Sequence, residues 1–369
     1  MHHVLQPGID FRSSQVCAIF DALDNGLEDY TTDERGDVGS WIRIACIRGL
    51  SSVIEDLFRI SGNLPDFPAF LPPHRYHAAI GRILRQGVER LDNVRQISGE
   101  CFLRIVQLPL PVTEHAGRWR VKNMDVVKEL FFAESGNDNN SWSDGGWLFP
   151  KAVKILQIPE YRRSLLRGLV MSVATRTGST QRPASSSLAN YTKTLPLTGV
   201  GYSLSEFASD LIGLAESNLT SNNVVIPVLQ TFNLLFEEDA LLSLSESERG
   251  AACIEALLSL SCKNVFRVKN IQRLQESMKI VINLLTLPSV AKTCLSKIVE
   301  FLAHPYPRVR SSTAEYLYIV LQSKDLGWEP DEQVEEILLE TEWSSGDVDK
   351  VKDVARGLVD ALASGMNAL

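Results

Sequence analysis

The sequence lacks an uninterrupted apolar run approaching the roughly 20 residues that a membrane-spanning helix needs, so no span is expected in its 369 residues. Cysteine is sparse: Cys17, Cys46, Cys101, Cys253, Cys262 and Cys294 are the six present, and no two form a CxxC pair. That spacing gives little support to a zinc site or a redox dithiol. Set in apolar helical stretches, these cysteines read as small buried hydrophobes of a reducing cytosol. The N-terminus, Met1-His2-His3-Val4, lacks a charged region leading into an apolar run, so it does not read as a signal peptide. An excess of positive charge is also missing. Lys plus Arg number 37 against 45 Asp plus Glu, a net charge of −8, and the basic residues are scattered singly. Binding nucleic acid takes a concentrated basic face, so no nucleic-acid partner is expected.

Catalytic motifs are absent in turn. There is no GxxxxGK[ST], no HExxH and no GxSxG. Gly199-Val200-Gly201 lacks the third glycine and the preceding strand of a dinucleotide site. His74 and His77 could share a helix face, but no nearby Cys or carboxylate completes a metal set, and they read as surface histidines on the first turns of a helix. His115 and His304 are isolated, the latter in a turn that it shapes. Glu237-Glu238 reads as a solvated helix end, not an acid/base dyad. No catalytic, cofactor-binding or metal-ligating residue is assigned, and no enzymatic activity is expected of this chain alone.

What is present is helical period. Apolar content of 44% and charged content of 22% suit a soluble globular chain. Its length exceeds that of most single compact cores, which implies two domains or an elongated array. Val16, Ile19, Phe20, Leu23 and Leu27 form one stripe; Trp41, Ile44, Ala45, Ile47 and Leu50 form the next, with Trp41 read as core. Hairpin-bounded alternation is missing, so the fold class is all-α. Pro72-Pro73, Pro159, Pro183, Pro288 and Pro330 stand where helices can begin. Ser203 with Glu206, and Ser243 with Glu246, have capping-box spacing. About sixteen helices, or about eight pairs, match the 40–47 residues of a HEAT or armadillo unit.

A repeat signature supports that count. In HPYPRVRSSTAEYL a turn at Pro305 precedes Val309 and Arg310, and Ala314 follows four positions on. Aligning Arg310 with Arg43 places Ile42 under Val309 and Leu50 under Leu317. Aligning it with Arg95 places Val94 under Val309 and Gly99 under Ala314, and a looser copy puts Arg162 under Arg310 and Leu169 under Leu317. Helix pairs that cannot bury their apolar faces alone stack into a continuous core, so residues 1–369 read as one helical-repeat solenoid. Residues 1–10 are expected to be flexible, and the polar runs 135–147 and 176–187 to be surface loops.

The segment EDYTTDERGDVGSW, residues 28–41, stands apart. Asp37 or Ser40 can cap the next helix, and Gly36 and Gly39 let the chain turn. It reads either as a helix–helix loop that merely caps and solvates, or as a docking surface. The candidate contact residues are Asp29, Tyr30, Thr31, Thr32, Asp33, Arg35, Asp37 and Arg43.

Extended to EDYTTDERGDVGSWIR, this segment is similar to a signature of the tubulin-folding cofactor D family, in its C-terminal region. YRRSLLRGLVMSVA with the following SSSLANYTKTL, then SNNVVIPVLQTFNLLF, HPYPRVRSSTAEYLYIVL and LLETEWSS, resemble later landmarks of that family in the same order, from Phe11 onward. Members are several times longer, and relative to them the N-terminal solenoid is missing; Ala174 stands where their glycine is expected. The resemblance implies a HEAT/armadillo-type chaperone cofactor acting after the cytosolic chaperonin. It implies binding to β-tubulin, cooperation with cofactors E and C and an Arf-like GTPase, and assembly or dissociation of the αβ-tubulin heterodimer. It also implies GTPase-activator function within that assembly, a role in microtubule organisation, and a cytoplasmic or cytoskeletal location. An importin-like or adaptin-like transport scaffold shares the repeat pattern but would not be expected to carry the YTTDERGDVGSW segment.

Overall fold

Apolar residues three and four apart turn almost the whole chain into α-helix. The computed structural model describes residues 12–132, 141–199, 201–328 and 332–367, and it contains seventeen α-helices among them. The fold is all-α and built from helical repeats. The chain divides into two compact units, Met1–Tyr191 and Thr192–Leu369, where the sequence predicts a single domain over 1–369. The expectation for residues 1–10, that for residues 135–140, and Pro330 and Val200 lie outside the described residues.

The first unit holds α1 (Ser13–Gly26), a minimal hairpin of β1 (Thr32–Asp33) and β2 (Gly36–Asp37), and α2 (Gly39–Ile60). It continues through α3 (Phe67–Phe70), α4 (Pro73–Gln86), α5 (Asp92–Gln107), α6 (Met124–Phe132), α7 (Gly145–Ala152), α8 (Pro159–Val173) and α9 (Gly178–Thr194), which reaches the division. Helix α2 packs on α1 and α5, and α4 packs on α5 and α8. The apolar stripes meet there: Leu50, Ile54 and Leu57 of α2, Ile80 and Ile83 of α4, Phe102 of α5 and Leu165 of α8 are all buried. Each such side chain contributes about 1.5–3 kcal/mol of burial free energy. Trp119 sits edge-on to Phe67, ring centroids 5.0 Å apart, and its indole N–H donates to the Leu71 carbonyl at 2.9 Å.

The second unit is more regular. Its helices are α10 (Leu204–Glu216), α11 (Asn222–Glu237), α12 (Glu248–Cys262), α13 (Ile271–Asn283), α14 (Pro288–Leu302), α15 (Pro307–Ser323), α16 (Glu332–Glu340) and α17 (Val348–Asn367). Successive pairs start at residues 204, 248, 288 and 332, intervals of 44, 40 and 44, within the range of HEAT and armadillo units. Helices α10, α12 and α14 form one row of neighbours, and α11, α13 and α15 form another. That is the stacking expected when each pair buries its apolar face against the next.

Several expectations change on contact with the structure. The hairpin is a strand pairing that the sequence does not predict; Gly36, at φ 106°, supplies the backbone conformation its turn needs. Residues 176–187 are not a surface loop, because α9 begins at Gly178 and buries Thr180, Ala184, Ser185 and Ser187. Pro183 therefore sits inside α9 and does not begin a helix, whereas Pro73, Pro159 and Pro288 each open one. In the run 135–147, Trp142 is buried and α7 already begins at Gly145. The Ser203–Glu206 capping box forms, with Ser203 N donating to Glu206 at 3.2 Å and Glu206 N to Ser203 at 3.3 Å. The one at Ser243–Glu246 does not, since those residues lie in a 3-10 turn and Ser247 caps α12 through Gly250 N at 3.0 Å.

Candidate functional site

The hairpin ahead of α2 is exposed at its tip and heavily bonded at its base. At the tip, Asp33 accepts from Arg35 through its backbone N–H at 2.8 Å, Nε at 3.0 Å and Nη2 at 2.6 Å. The Arg35 guanidinium lies 5.4 Å from the ring centroid of Trp41, on the first turn of α2. Trp41 is 61% exposed and Ile42 48%. The reading of Trp41 as a core repeat residue is thereby overturned, and so is the match of Ile42 to the buried Val309 and Val94. Both point away from the face of α2 that carries Arg43, Cys46, Ile47 and Leu50.

The base is built on Arg43, which has no solvent exposure and so cannot itself contact a partner. Its Nη1 and Nη2 each lie 3.0 Å from an oxygen of Asp37; Nη1 also donates to the Asp29 carbonyl at 2.6 Å and Nε to Gln86 at 3.2 Å. Its guanidinium stacks 4.3 Å above the Tyr30 ring. Arg90 Nη2 reaches the second Asp37 oxygen at 2.7 Å, and Asp37 also accepts the Ser40 N–H at 3.2 Å, capping α2. Burial raises the Asp37 carboxyl, but the hydrogen bonds from Arg43 and Arg90 outweigh it and hold the group below its usual range. A side chain at Gly39 would run into the Asp29 carbonyl, so a glycine is required for this close approach. Asp29 and Thr31 close the loop, with Thr31 N donating to Asp29 at 2.9 Å and Gly39 N to the Thr31 carbonyl at 2.9 Å. Thr32 pairs with Asp37 across the hairpin and is exposed.

Beneath Tyr30 lies a polar network that the sequence does not reveal, because its members are far apart in the chain. The Tyr30 hydroxyl donates to Glu89 and accepts from Gln86 Nε2 at 3.2 Å. Arg85 binds Glu28 at 2.5 Å and the Leu27 carbonyl at 2.9 Å, and Arg167 reaches Glu28 at 3.0 Å. Burial raises Glu28, but Arg85 and Arg167 bring it below the usual carboxylate range. Glu89 is fully enclosed, and burial pushes it up to about 8. Only the four-residue spacing of Arg85, in the last turn of α4, and Glu89, just past its end, could have signalled any of this.

The arginines of the repeat signature do something different. Arg310 is buried; its Nε donates to the Trp343 carbonyl at 2.8 Å, Nη1 to those of His304 and Pro305 at 2.8 and 3.2 Å, and Nη2 to that of Ser345 at 2.5 Å. Arg95 repeats the pattern. Nε donates to the Trp142 carbonyl at 3.3 Å, Nη1 to those of Glu89 and Arg90 at 2.8 and 3.1 Å, and Nη2 to that of Ser143 at 2.9 Å. In both, the fork joins carbonyls six and five residues upstream to a downstream loop that carries a tryptophan and a serine. Arg162 keeps part of it, donating from Nε to the Leu156 carbonyl six residues upstream at 2.8 Å. Arg43 meets the carboxylate of Asp37 at the same upstream position. Val309 and Ala314 are buried beside Arg310.

Two of the histidines, His77 and His304, are structural in their contacts. His77 is half-buried, with Nδ1 3.0 Å from the Tyr161 hydroxyl and Nε2 3.0 Å from the Arg118 carbonyl, so it is not the surface residue the sequence suggests. His304 shapes its turn as expected: Nδ1 accepts the Tyr306 N–H at 3.1 Å, and the ring stacks on Phe266. No helix is long and apolar enough to cross a membrane among the described residues.

An engineered protein of known crystal structure aligns with 95% of this chain and 92% of its own at 14% identity. Its TM-score of 0.32 carries no argument. The family of tubulin folding cofactor D C-terminal domains matches residues 77–273. That stretch takes in Glu89, Arg95, Arg162 and the first two helix pairs of the second unit as far as the start of α13; the hairpin lies ahead of it. With more than half of its residues matched, the chain belongs to the tubulin folding cofactor D C-terminal family.

Proposed function

We propose that this chain is a β-tubulin-binding scaffold of the post-chaperonin folding pathway, contributing to assembly and dissociation of the αβ-tubulin heterodimer. The family match over residues 77–273 carries the reading, since it supports a tubulin-folding role in general. In this proposal the chain works with cofactors E and C and an Arf-like GTPase, in the cytoplasm and at microtubules. Any GTP hydrolysis is stimulated on tubulin within that assembly, with no chemistry by this chain. The docking surface we favour is the hairpin tip, where Asp33, Arg35 and Trp41 combine both signs of charge with an exposed aromatic face. Tyr30, Asp37 and Arg43 hold that tip from beneath. An aromatic side chain on a rigid base loses little conformational freedom on binding, which suits it as an anchor.

The test is co-elution of the purified chain with native αβ-tubulin on a sizing column, with and without cofactor E and the GTPase. A shared peak is expected, and it should disappear for a D33N/R35Q/W41A variant whose circular dichroism is unchanged. A lone monomeric peak in every mixture would overturn the proposal for this chain; a shared peak retained by the variant would move the docking surface elsewhere.

A further inference from the structure

Many basic side chains of the chain meet carboxylates: Arg85 with Glu28, Lys193 with Glu238, Lys297 with Glu300. One group in the second unit does not. Lys263, Arg267, Lys269 and Arg273 converge on a cavity of about 660 Å³ between the turn ahead of α11 and the connection from α12 to α13. No Asp or Glu lines it. None of the four cations makes an ion pair among the described residues.

The local backbone explains the convergence. Asn264 adopts the left-handed conformation at φ 57° and reverses the chain after α12, bringing Lys263 and Arg267 to one cavity. Asn270 caps α13, its Oδ1 accepting the Arg273 N–H at 2.9 Å. Half-buried Arg273 is fixed by Nη1, which donates to the Leu219 carbonyl at 2.8 Å and to Asn222 Oδ1 at 3.3 Å. Both asparagines thus use their carbonyl oxygens within the protein and keep their amide N–H groups as donors. Asn222 opens α11 and Asn270 directly precedes α13, so two helix N-termini border the same space with the positive ends of their dipoles. Burial lowers the Arg273 pKa with no carboxylate offsetting it.

Four cations, two amide donors and two helix N-termini around one concavity form an array of a single sign, which an anion would relieve. We propose that this cavity binds a compact phosphate-bearing polyanion, one with two or more phosphoryl groups. Guanidinium forks match phosphate oxygens two at a time, and lysines add point charge. An extended acidic polypeptide fits less well. The chain carries a net charge of −8 and repels such a partner at long range, whereas a compact ligand lies within a Debye length of the local cations. The proposal is independent of tubulin binding.

Titration calorimetry of the full chain with tripolyphosphate, at about 0.15 M salt, tests it, with inorganic phosphate and a short Asp/Glu-rich peptide as comparators. Saturable one-site binding is expected, at least about tenfold tighter than for either comparator. The exposed pair Arg267→Gln with Lys269→Gln should weaken it by about tenfold or more, and Lys263→Gln alone should weaken it less, each with unchanged circular dichroism. Absence of saturable binding, undiminished binding by the double variant, or tighter binding of the acidic peptide would each overturn the proposal.

Discussion

Both carboxylate oxygens of Asp37 lie 3.0 Å from the terminal nitrogens of Arg43, and the arginine making this fork is wholly enclosed. The pair ties the second strand of the hairpin to α2, and the exposed tip inherits its position from that tie.

Asp37→Asn leaves a buried guanidinium without its counter-charge and weakens the bond to Arg90 as well. Breaking one side of a buried pair costs about 3–5 kcal/mol, so a clear fall in melting temperature is expected. Replacing Asp33 and Arg35, which pair at the solvent-exposed tip, should leave the melting temperature unchanged. Differential scanning fluorimetry of the two variants side by side separates the base of the hairpin from its surface.

Arg310→Leu removes the donor to four main-chain carbonyls at once. Hydrogen bonds to charged groups are worth about 1.5–3 kcal/mol each, with strong non-additivity; a total loss of at least about 3 kcal/mol is expected. Arg310→Lys should recover less than half, because an ammonium cannot reproduce the planar fork. Urea midpoints measure both, and a lysine variant equal to the parent would show that charge alone is what matters there.

Two glycines should respond in opposite directions to alanine. At Gly99 the new methyl would collide with the Trp142 ring, an overpacking expected to cost about 1–3 kcal/mol. At Gly213, within α10, nothing beyond the backbone of its own helix lies within 4 Å of the new position, and the gain in helix propensity is about 0.5–1 kcal/mol. Thermal melts of Gly99→Ala and Gly213→Ala test the packing of one helix against the freedom of the other.

The pH dependence turns on Glu89, Glu28 and Asp37. Glu89 has its folded pKa raised to about 8 from 4.5, so the folded state retains a proton that the unfolded state has released. Its contribution to stability is undiminished below pH 4.5 and is lost as pH rises through about 8. Glu28 and Asp37 act in the opposite sense: their lowered pKa values stabilise above the unfolded values and are lost as pH falls through the folded ones. Glu89→Gln, which keeps an acceptor for Tyr30, should flatten the alkaline side of the stability profile and leave the acidic side intact. Urea unfolding at a series of pH values reads both limbs.

Helical period was legible because apolar stripes are local, and so were the proline starts at Pro73, Pro159 and Pro288 and the cap at Ser203. The recurrence of Arg95 and Arg310 was also visible as spacing, though their acceptors were not. Polar composition misled at 176–187, where Ser and Thr are small enough to be buried in a helix. Trp41 misled for a related reason. The sequence groups it in a stripe with Ile44 and Ile47, but it points away from the Ile47 face and sits on the first turn of α2, where the hairpin supplies an arginine instead of a core. The Tyr30–Glu89 network joins residues 59 positions apart, and no local pattern encodes such a pair.

Because each acceptor of Arg310 is a main-chain carbonyl, the arginine holds a path of the chain and not a set of partner side chains. The loops it fastens are therefore free to change their residues while keeping their course. Such a fastening leaves no compensating substitution behind: one arginine would persist through sequence drift with nothing varying in step with it.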